Sequence, residues 1–344
     1  MSIDAMGGDN APDIVIQGLE YYLKTQGKDH NVHFLLHGDQ AKIDTLLQKA
    51  PLTKAKSEVL HSDSIIDMGA KPSHALRRGK GSSMWNTIEA VADGKAAVAV
   101  SAGNTGALMA ISYRHLRTMI GVQRPAIAAL WPQPTGMGVV LDVGANIDCD
   151  ASHLTEFAIM GEAYYRALFH VENPSIGLLN VGTEELKGNA TIKLAHERLS
   201  SSNLDINYRG YVEGNDISFG DVNVIVTDGF TGNIALKTAE GTAKLISKLL
   251  RDSLQSSLWS KFTSLLNLMG FRKLQRRLDP RRANGGVFLG LNGIVIKSHG
   301  GTDAIGFANA VAIGVELAES QFLEELERTL SALHAEDDNM GFIA

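Results

Sequence analysis

The sequence predicts an α/β fold of three layers, in which helices cover both faces of a mostly parallel sheet. Short runs of Val, Ile, Leu and Ala alternate along the chain with longer segments of helical periodicity. Loops rich in Gly, Asn and Asp follow the apolar runs. Alternation of strand and helix is typical of βαβ units, whose crossovers are right-handed.

The individual elements follow from these patterns. Helix starts are well marked, because Asp13 follows Pro12 and the capping residues Asn104 and Asp303 precede helical segments. The apolar runs predict strands at 2–5, 32–37, 96–101, 127–131, 138–142, 175–180, 222–227 and 293–297. The helical patterns predict helices at 13–25, 39–49, 82–92, 104–117, 152–170, 189–201, 231–252, 254–269 and 303–333.

The composition is that of a folded globular protein. Of 344 residues, 44% are hydrophobic and 20% are charged, which argues against disorder. We expect one α/β enzyme domain over 1–344, with two lobes as the alternative. Cys149 is the only cysteine, so no disulfide can form within the chain. No signal peptide and no long apolar run are present, and we expect a cytoplasmic protein.

Charge is distributed unevenly. The net charge of −6 combines +8 over residues 244–282 with −14 elsewhere. We expect a basic and apolar helical protrusion at 245–285, with an anionic partner. Within it, an apolar stripe predicts contact with a membrane or an acyl chain through Leu254, Leu258, Phe262 and Leu265. Packing of this stripe on its own subunit or on a dimer mate is the alternative interpretation.

Six loops share one design, in which an apolar strand is followed by Gly with Asn, Asp or Ser and then by a helix. Glycine lets backbone N–H groups point inward, and helix N-termini carry partial positive charge. Because parallel strands end at one edge of a sheet, we expect the loops to converge on one oxyanion site. These loops are 4–12, 101–106, 142–146, 180–189, 228–233 and 297–303.

Several cofactor signatures are missing from the sequence. It contains neither a P-loop nor a dinucleotide-binding Gly-x-Gly-x-x-Gly after the first strand, and it has no zinc motif. The aspartates Asp4, Asp9, Asp142, Asp148 and Asp228 are potential Mg²⁺ ligands, but such residues more often cap helices or tie loops. We therefore expect neither a cofactor nor a metal.

The motif Asp4-Ala-Met-Gly7-Gly8-Asp9-Asn-Ala-Pro12 resembles the opening of the bacterial acyl-ACP:phosphate acyltransferases of phospholipid synthesis. Further blocks occur in the order of that family, at 100–109, 142–146, 177–182, 184–189, 212–216, 228–233 and 293–300. The resemblance covers roughly residues 4–320 and implies a fold like those of isocitrate and isopropylmalate dehydrogenases and phosphotransacetylase. It also implies a homodimer without a cofactor.

The implied reaction converts an acyl carrier protein thioester and inorganic phosphate into acyl phosphate for phosphatidic acid synthesis. We accordingly expect acyl carrier protein, inorganic phosphate and an anionic membrane surface as partners, with peripheral membrane association and no nucleic acid. The alternatives are an NAD- and metal-dependent oxidoreductase of the isopropylmalate dehydrogenase type and a non-catalytic membrane-associated scaffold.

Candidate site residues come from the six loops. Asp4 and Asp228 are expected to fix loops or orient a cation, because a carboxylate repels a dianion. Cys149 leaves two routes open, direct attack by phosphate or a prior acyl-cysteine. The predicted catalytic residues are Lys187, Lys297, His299 and Asn233. The predicted phosphate- and substrate-binding residues are Gly7, Gly8, Asp9, Gly103, Asn104, Thr105, Gly106, Asn180 and Asp228.

Overall fold

The computed structural model describes residues 1–28, 30–255 and 280–340. Its strands are β1 (Ser2–Asp4), β2 (Phe34–Gly38), β3 (Ser57–His61), β4 (Val98–Ser101), β5 (Ala126–Gln133), β6 (Gly136–Leu141), β7 (Ser175–Leu179), β8 (Asn207–Val212), β9 (Val224–Val226), β10 (Gly286–Leu289) and β11 (Ile294–Lys297).

The helices lie between these strands. They are α1 (Asp13–Thr25), α2 (Gln40–Leu47), α3 (Pro51–Ala55), α4 (Pro72–Arg78), α5 (Ser83–Ala92), α6 (Thr105–Leu116), α7 (Ala151–Phe169), α8 (Ala190–Ser201), α9 (Asp216–Phe219), α10 (Gly229–Gln255), α11 (Ala304–Glu319) and α12 (Phe322–Met340), with a 3-10 turn at Pro280–Ala283.

The strands of the described residues form one hydrogen-bonded sheet in the order β3-β2-β1-β4-β11-β10-β5-β6-β9-β7-β8. The strands β3, β2, β1, β4 and β11 are parallel to their neighbours in that half. The strands β6, β9, β7 and β8 form a second parallel set. Between the sets, β10 pairs antiparallel with β11 and β5, and β5 pairs antiparallel with β6. The second set therefore runs opposite to the first.

Helices cover both faces of this sheet, which confirms the three predicted layers. Along β4, Val98 and Val100 point into one hydrophobic cluster, where they meet α1, α7, α11 and α12. Ala99 points into the other cluster, where it meets Trp85 of α5 and Leu108 of α6. Since neighbouring residues of a strand face opposite sides, an unbroken apolar run such as β4 requires a core on each side.

The predicted strands are all present, and β3, β8 and β10 are additional. The strands β3 and β8 are the outer strands of the sheet. They contain exposed or polar residues, so they lack the apolar run from which the other strands were predicted. The strand β10 has only four residues and follows Gly285, whose φ is +126°.

The predicted helices at 13–25, 39–49, 82–92, 104–117, 152–170, 189–201 and 231–252 are also present, with α3, α4 and α9 as further short ones. The predicted helix at 303–333 is wrong in one respect. It divides into α11 and α12 at Ser320, whose backbone is extended.

The predicted basic protrusion at 245–285 is described only in part. Residues 245–255 form the last turns of α10. Leu254 is half-buried there, whereas Leu258, Phe262 and Leu265 lie outside the described residues. Among the residues that the structure describes, every helix is too short or too polar to cross a membrane.

Candidate functional site

The six glycine loops form two groups because the strand direction reverses at β5 and β6. The first loop group consists of 4–12, 101–106 and 297–303, which follow the parallel strands β1, β4 and β11. The second loop group consists of 142–146, 180–189 and 228–233, which follow β6, β7 and β9. The expectation of a single common strand edge is therefore wrong.

A buried carboxylate organises the first loop group. Asp4 is 1% exposed, and its Oδ2 accepts a hydrogen bond from the Ser101 hydroxyl at 2.7 Å. Its Oδ1 accepts from the Met6 N–H at 3.2 Å. The Ser101 hydroxyl in turn accepts from the Gly103 N–H at 3.0 Å. Desolvation raises the pKa of Asp4, and these donors oppose the shift. Asp4 thus holds two loops together, which is the role expected of it.

Two glycines let the loops of this group approach one another. A Cβ on Gly7 would lie 2.8 Å from the Gly103 nitrogen, too close for any other residue. Gly8 has a φ of +107°, and a Cβ there would lie 3.1 Å from the Gly300 carbonyl oxygen. The Asp9 N–H donates to that same carbonyl at 2.9 Å. The structure thus brings together the predicted residues Gly7, Gly8, Asp9 and Gly103.

Lys297 and His299 lie in this group at the end of β11. The Lys297 ammonium donates to the backbone carbonyls of Ser298 and, at 3.4 Å, Ala102. Desolvation lowers the pKa of Lys297 to about 8, while Asp4 and Asp9 oppose the shift. This ammonium is therefore a cation whose charge titrates near neutral pH.

The hydrogen bonds of His299 define its tautomer. Its Nδ1 accepts the Gly301 N–H at 3.2 Å, while the backbone N–H of His299 donates to the Asn284 side-chain oxygen at 2.8 Å. Desolvation also lowers the pKa of His299. The neutral ring therefore carries its proton on Nε2, which is available as a hydrogen-bond donor.

The long helix α10 connects the two loop groups. It begins at Gly229 in the second group, and farther along Lys237 and Glu240 form an ion pair of 2.9 Å. The charge of Lys237 lowers the pKa of both Lys297 and His299, whereas Glu240 raises that of His299. The sequence analysis missed Lys237, Glu240 and Ser101. The position of Lys237 and Glu240 on the helix that begins at Gly229 was the sequence feature that could have indicated these two residues.

A second buried carboxylate organises the second loop group. Asp142 is fully buried, and its Oδ1 accepts from the backbone N–H groups of Ile127, Gly144 and Ala145 at 3.0 to 3.1 Å. Its Oδ2 accepts from both the backbone N–H and the side-chain amide of Asn146, at 2.7 and 2.9 Å. Desolvation raises the pKa of Asp142 against these donors.

Some of the predicted site residues make hydrogen bonds within the protein. The Asn104 amide donates to the carbonyls of Met68 and Ala70 at 2.6 and 3.0 Å, while its oxygen caps α6. The Asn233 amide donates to the Val143 carbonyl at 3.1 Å. These two side chains hold loops in place, and their predicted roles toward a substrate stay predictions.

Three further candidates also have structural contacts. Both carboxylate oxygens of Asp228 accept from Thr231 at 2.8 Å, which caps α10 and agrees with a loop-fixing role. Thr105 is the exposed first residue of α6. A Cβ on Gly106 would lie 2.9 Å from the Pro72 ring, so this glycine allows the start of α4 to pack there.

Asn180 and Lys187 lie in the second loop group, apart from Lys297 and His299. Asn180 is 7% exposed, and neither its amide nitrogen nor its side-chain oxygen has a partner in the described part of the chain. Lys187 is exposed, and its backbone N–H donates to the Glu184 carbonyl at 2.9 Å. The loop that carries them leads directly into α8.

Cys149 is poorly suited to nucleophilic attack. Desolvation, followed by the nearby Asp142 charge, raises the pKa of its thiol to about 12. The neighbouring His153 is engaged in a capping box, in which its Nδ1 accepts the Asp150 N–H at 3.1 Å. Both observations argue against Cys149 as a nucleophile.

No group of three or more His, Cys, Asp or Glu side chains that could hold a metal occurs within 1–28, 30–255 and 280–340. The carboxylates of Asp4, Asp142 and Asp228 accept hydrogen bonds from the protein.

Solved structures share this fold. A phosphotransacetylase from Streptococcus pyogenes superposes with a TM-score of 0.63 at 17% identity, covering 92% of this chain and 93% of its own. A branched-chain phosphotransacylase from Enterococcus faecalis superposes with a TM-score of 0.58 at 14% identity, covering 93% and 100%. The chain therefore has the phosphotransacetylase fold, as the resemblance implied.

Sequence relatives identify the family. The phosphate acyltransferase of Maricaulis maris is 54% identical over 331 residues, which cover 96% of this chain and 94% of the relative. That of Caulobacter vibrioides is 52% identical over 335 residues, covering 97% and 92%. The family model described as "Fatty acid synthesis protein" matches residues 1–325. The chain belongs to this family of fatty acid synthesis proteins, which confirms the resemblance.

Removal of the Asp142 carboxylate is expected to destabilise the fold. Asp142→Ala leaves several buried N–H donors without a partner, and we expect it to lower the free energy of unfolding by about 3 kcal/mol or more. Asp148→Ala, an exposed carboxylate of the same loop, is the matched control and is expected to change it by less than about 0.5 kcal/mol. Urea unfolding measures both values. Equal stability of the two variants would contradict the organising role of Asp142.

Proposed function

We propose that the protein transfers a fatty acyl group from the thioester of acyl carrier protein to inorganic phosphate, and so produces acyl phosphate for phosphatidic acid and phospholipid synthesis. The observation that carries this proposal is the first loop group, where glycine loops from three strand ends surround Lys297 and His299. The name shared by the relatives, phosphate acyltransferase, supports the acceptor. The carrier-bound donor comes from the resemblance of the motifs.

The chemistry requires positioning more than activation of the nucleophile. Phosphate carries about 1.5 to 2 negative charges near neutral pH if it behaves like a phosphomonoester, and is therefore nucleophilic without a strong base. In our proposal Lys297 and the Gly7–Gly8 backbone orient the phosphate. Its oxygen forms a bond to the thioester carbon, the C–S bond then breaks, and the proton lost by phosphate passes to the leaving thiolate.

His299 is proposed to stabilise the tetrahedral oxyanion. Its neutral ring carries a proton on Nε2, since Nδ1 accepts the Gly301 N–H. One such donor is worth about 3 kcal/mol of transition-state stabilisation. Desolvation is the main cause of the lowered pKa of both Lys297 and His299. Charges interact more strongly where water is excluded, so electrostatic interactions are strong in the first loop group.

Formation of acyl phosphate tests this function directly. The purified protein, incubated with a long-chain acyl carrier protein and labelled inorganic phosphate, is expected to yield a labelled product that hydroxylamine converts to a hydroxamate. His299→Ala is expected to lower kcat by about 100-fold, because it removes an oxyanion donor. Cys149→Ala is expected to retain most activity, since direct attack does not use the thiol.

Two results would count against parts of this proposal. Absence of labelled acyl phosphate with any acyl thioester would reject the function. An acyl-enzyme trapped on Cys149, lost in the Cys149→Ala variant together with activity, would reject direct attack while leaving the overall reaction in place.

The pH dependence follows from Lys297. Its ammonium is charged below pH 8 and neutral above it, because its pKa is lowered to about 8. We therefore expect kcat/KM for phosphate to fall by up to tenfold per pH unit above pH 8. Lys297→Arg, which stays charged, should retain phosphate binding and shift the fall to higher pH. A profile that is identical in the wild-type and Lys297→Arg enzymes would exclude Lys297 as the titrating cation.

Peripheral membrane association is the second part of the proposal. Toward its end, α10 exposes an apolar face of Leu245, Ile246, Leu249 and Leu250, which are between 37% and 56% exposed. At 100° per residue, Lys244, Lys248 and Arg251 lie on the opposite face. A helix of this kind can lie in the interface of an anionic membrane, to which the acyl product must pass.

A single charged substitution tests the membrane contact. Leu249→Glu should lower binding to vesicles of phosphatidylcholine with phosphatidylglycerol by about tenfold or more, because burial of one Leu contributes about 1.5–3 kcal/mol. Ser247→Glu adds the same charge on the polar face and should lower binding only slightly. Vesicle flotation measures both. Unchanged flotation of Leu249→Glu would reject this contact, and a change from dimer to monomer would instead assign the apolar face to a second copy.

A further inference from the structure

The loop 180–189 contains a buried polar group that nothing in the described residues satisfies. Asn180 is 7% exposed, and its side-chain nitrogen and oxygen both lack partners there. A Cβ on Gly188 would lie 2.6 Å from the Asn180 Oδ1, so the amide is aimed at the loop that enters α8. Since a buried amide without a partner is unfavourable, its retention indicates a ligand that supplies the missing hydrogen bonds.

The surroundings of Asn180 are suited to an anion. The helix α8 has 12 residues and begins directly after this loop, where Asn189 accepts the Ile192 N–H as its cap. The first N–H groups of a helix have no partners within the helix, and they attract negative charge. Lys187 adds a cation at the same end of α8, and Gly188, with a φ of +89°, leaves space beside the amide.

This cluster is separate from the one that holds Lys297 and His299. It belongs to the loop next to that of α10, because β7 and β9 are neighbours in the sheet. From the start of α10 at Gly229 to Lys237, which influences the pKa of His299, the helix rises by about 12 Å. An anion beside Lys297 and His299 and an anion beside Asn180 would therefore occupy different loops, which α10 connects.

We propose that this loop is a second anion subsite, which holds the phosphodiester of the acyl donor's thiol-bearing arm while the reacting phosphate occupies the first loop group. The inference rests on the proposed function. Charge favours the phosphodiester over inorganic phosphate as the ligand of this loop. Glu184 and Glu185 lie in the same loop as Lys187 and repel anions. They repel a phosphodiester with one negative charge less than inorganic phosphate, which carries about 1.5 to 2 negative charges.

The apolar rim of the subsite fits the same ligand. Val181 and Leu186 flank Asn180 and Lys187 in sequence, and they are 81% and 88% exposed. A pantetheine arm carries two methyl groups close to its phosphodiester, so an anion contact beside apolar side chains matches its chemistry. Inorganic phosphate has no apolar part for these side chains to cover.

The test compares two donors that differ in the phosphodiester. Palmitoyl-carrier protein has it, and palmitoyl-pantetheine lacks it. Lys187→Ala should raise the KM for palmitoyl-carrier protein about tenfold or more, since a charge-assisted hydrogen bond is lost. The KM for inorganic phosphate and kcat/KM for palmitoyl-pantetheine should remain unchanged. Gly188→Ala, which places a Cβ against the Asn180 amide, should also raise the KM for palmitoyl-carrier protein.

Lys193→Ala is the matched control, because Lys193 is an exposed cation of α8 one turn farther on. Lys193→Ala should leave the KM for palmitoyl-carrier protein, the KM for inorganic phosphate and kcat/KM for palmitoyl-pantetheine unchanged. A raised KM for phosphate in Lys187→Ala would assign the subsite to the reacting phosphate and overturn the inference. Equal losses with both donors, or no change with either, would overturn it as well. Failure of the proposed function is recognised separately, because the wild-type protein would then form no acyl phosphate from any donor.

Discussion

The interaction on which the site depends is the burial of a single carboxylate at the end of the first strand of each parallel set. Asp4 ends β1, and Asp142 follows β6. Each is buried, and each accepts hydrogen bonds from the loops around it. A buried carboxylate is unfavourable unless several donors compensate for lost hydration. The loops can therefore supply those donors only in the arrangement that the structure has.

Glycine makes this arrangement possible where backbones must touch. A Cβ on Gly232 would collide with the Asp142 carbonyl, and a Cβ on Gly229 would lie 2.5 Å from the Asn146 carbonyl. The start of α10 is thus packed directly against the loop that Asp142 organises. As α10 is one continuous helix, it joins this loop to Lys237 and Glu240, whose charges act on His299.

The sequence predicted the layers and the loops but not the direction of the strands. Apolar runs and caps such as Asn104 and Asp303 depend on neighbours in the chain, so they are readable from sequence. The insertion of β10 depends on antiparallel pairing with the distant strand β5, which no local pattern reveals. Together with the tight β5–β6 hairpin, it divides the six loops into two groups.

The candidate site shows the same limit at the level of single side chains. A loop asparagine looks alike in sequence whether it binds a ligand, as we propose for Asn180, or holds a neighbouring segment, as Asn104 and Asn233 do. Only the partner atoms distinguish these cases, and they come from residues far away in the chain. The family could be recognised from the sequence because its motifs are short runs of neighbouring residues. The role of a residue within such a motif depends on contacts with distant parts of the chain, which the sequence does not show.

The division into two loop groups changes how the proposed reaction is understood. Transfer between a carrier-bound thioester and phosphate brings two anionic substrates together, and their mutual repulsion weakens only if each has its own donors. A single crevice would have to neutralise both charges with one set of N–H groups. Two loop groups, each followed by its own helices and joined by α10, would give each anionic substrate its own donors in the proposed reaction. The reversal of strand direction at β5 and β6 is therefore the feature of the sheet that provides the two loop groups which the proposed chemistry uses.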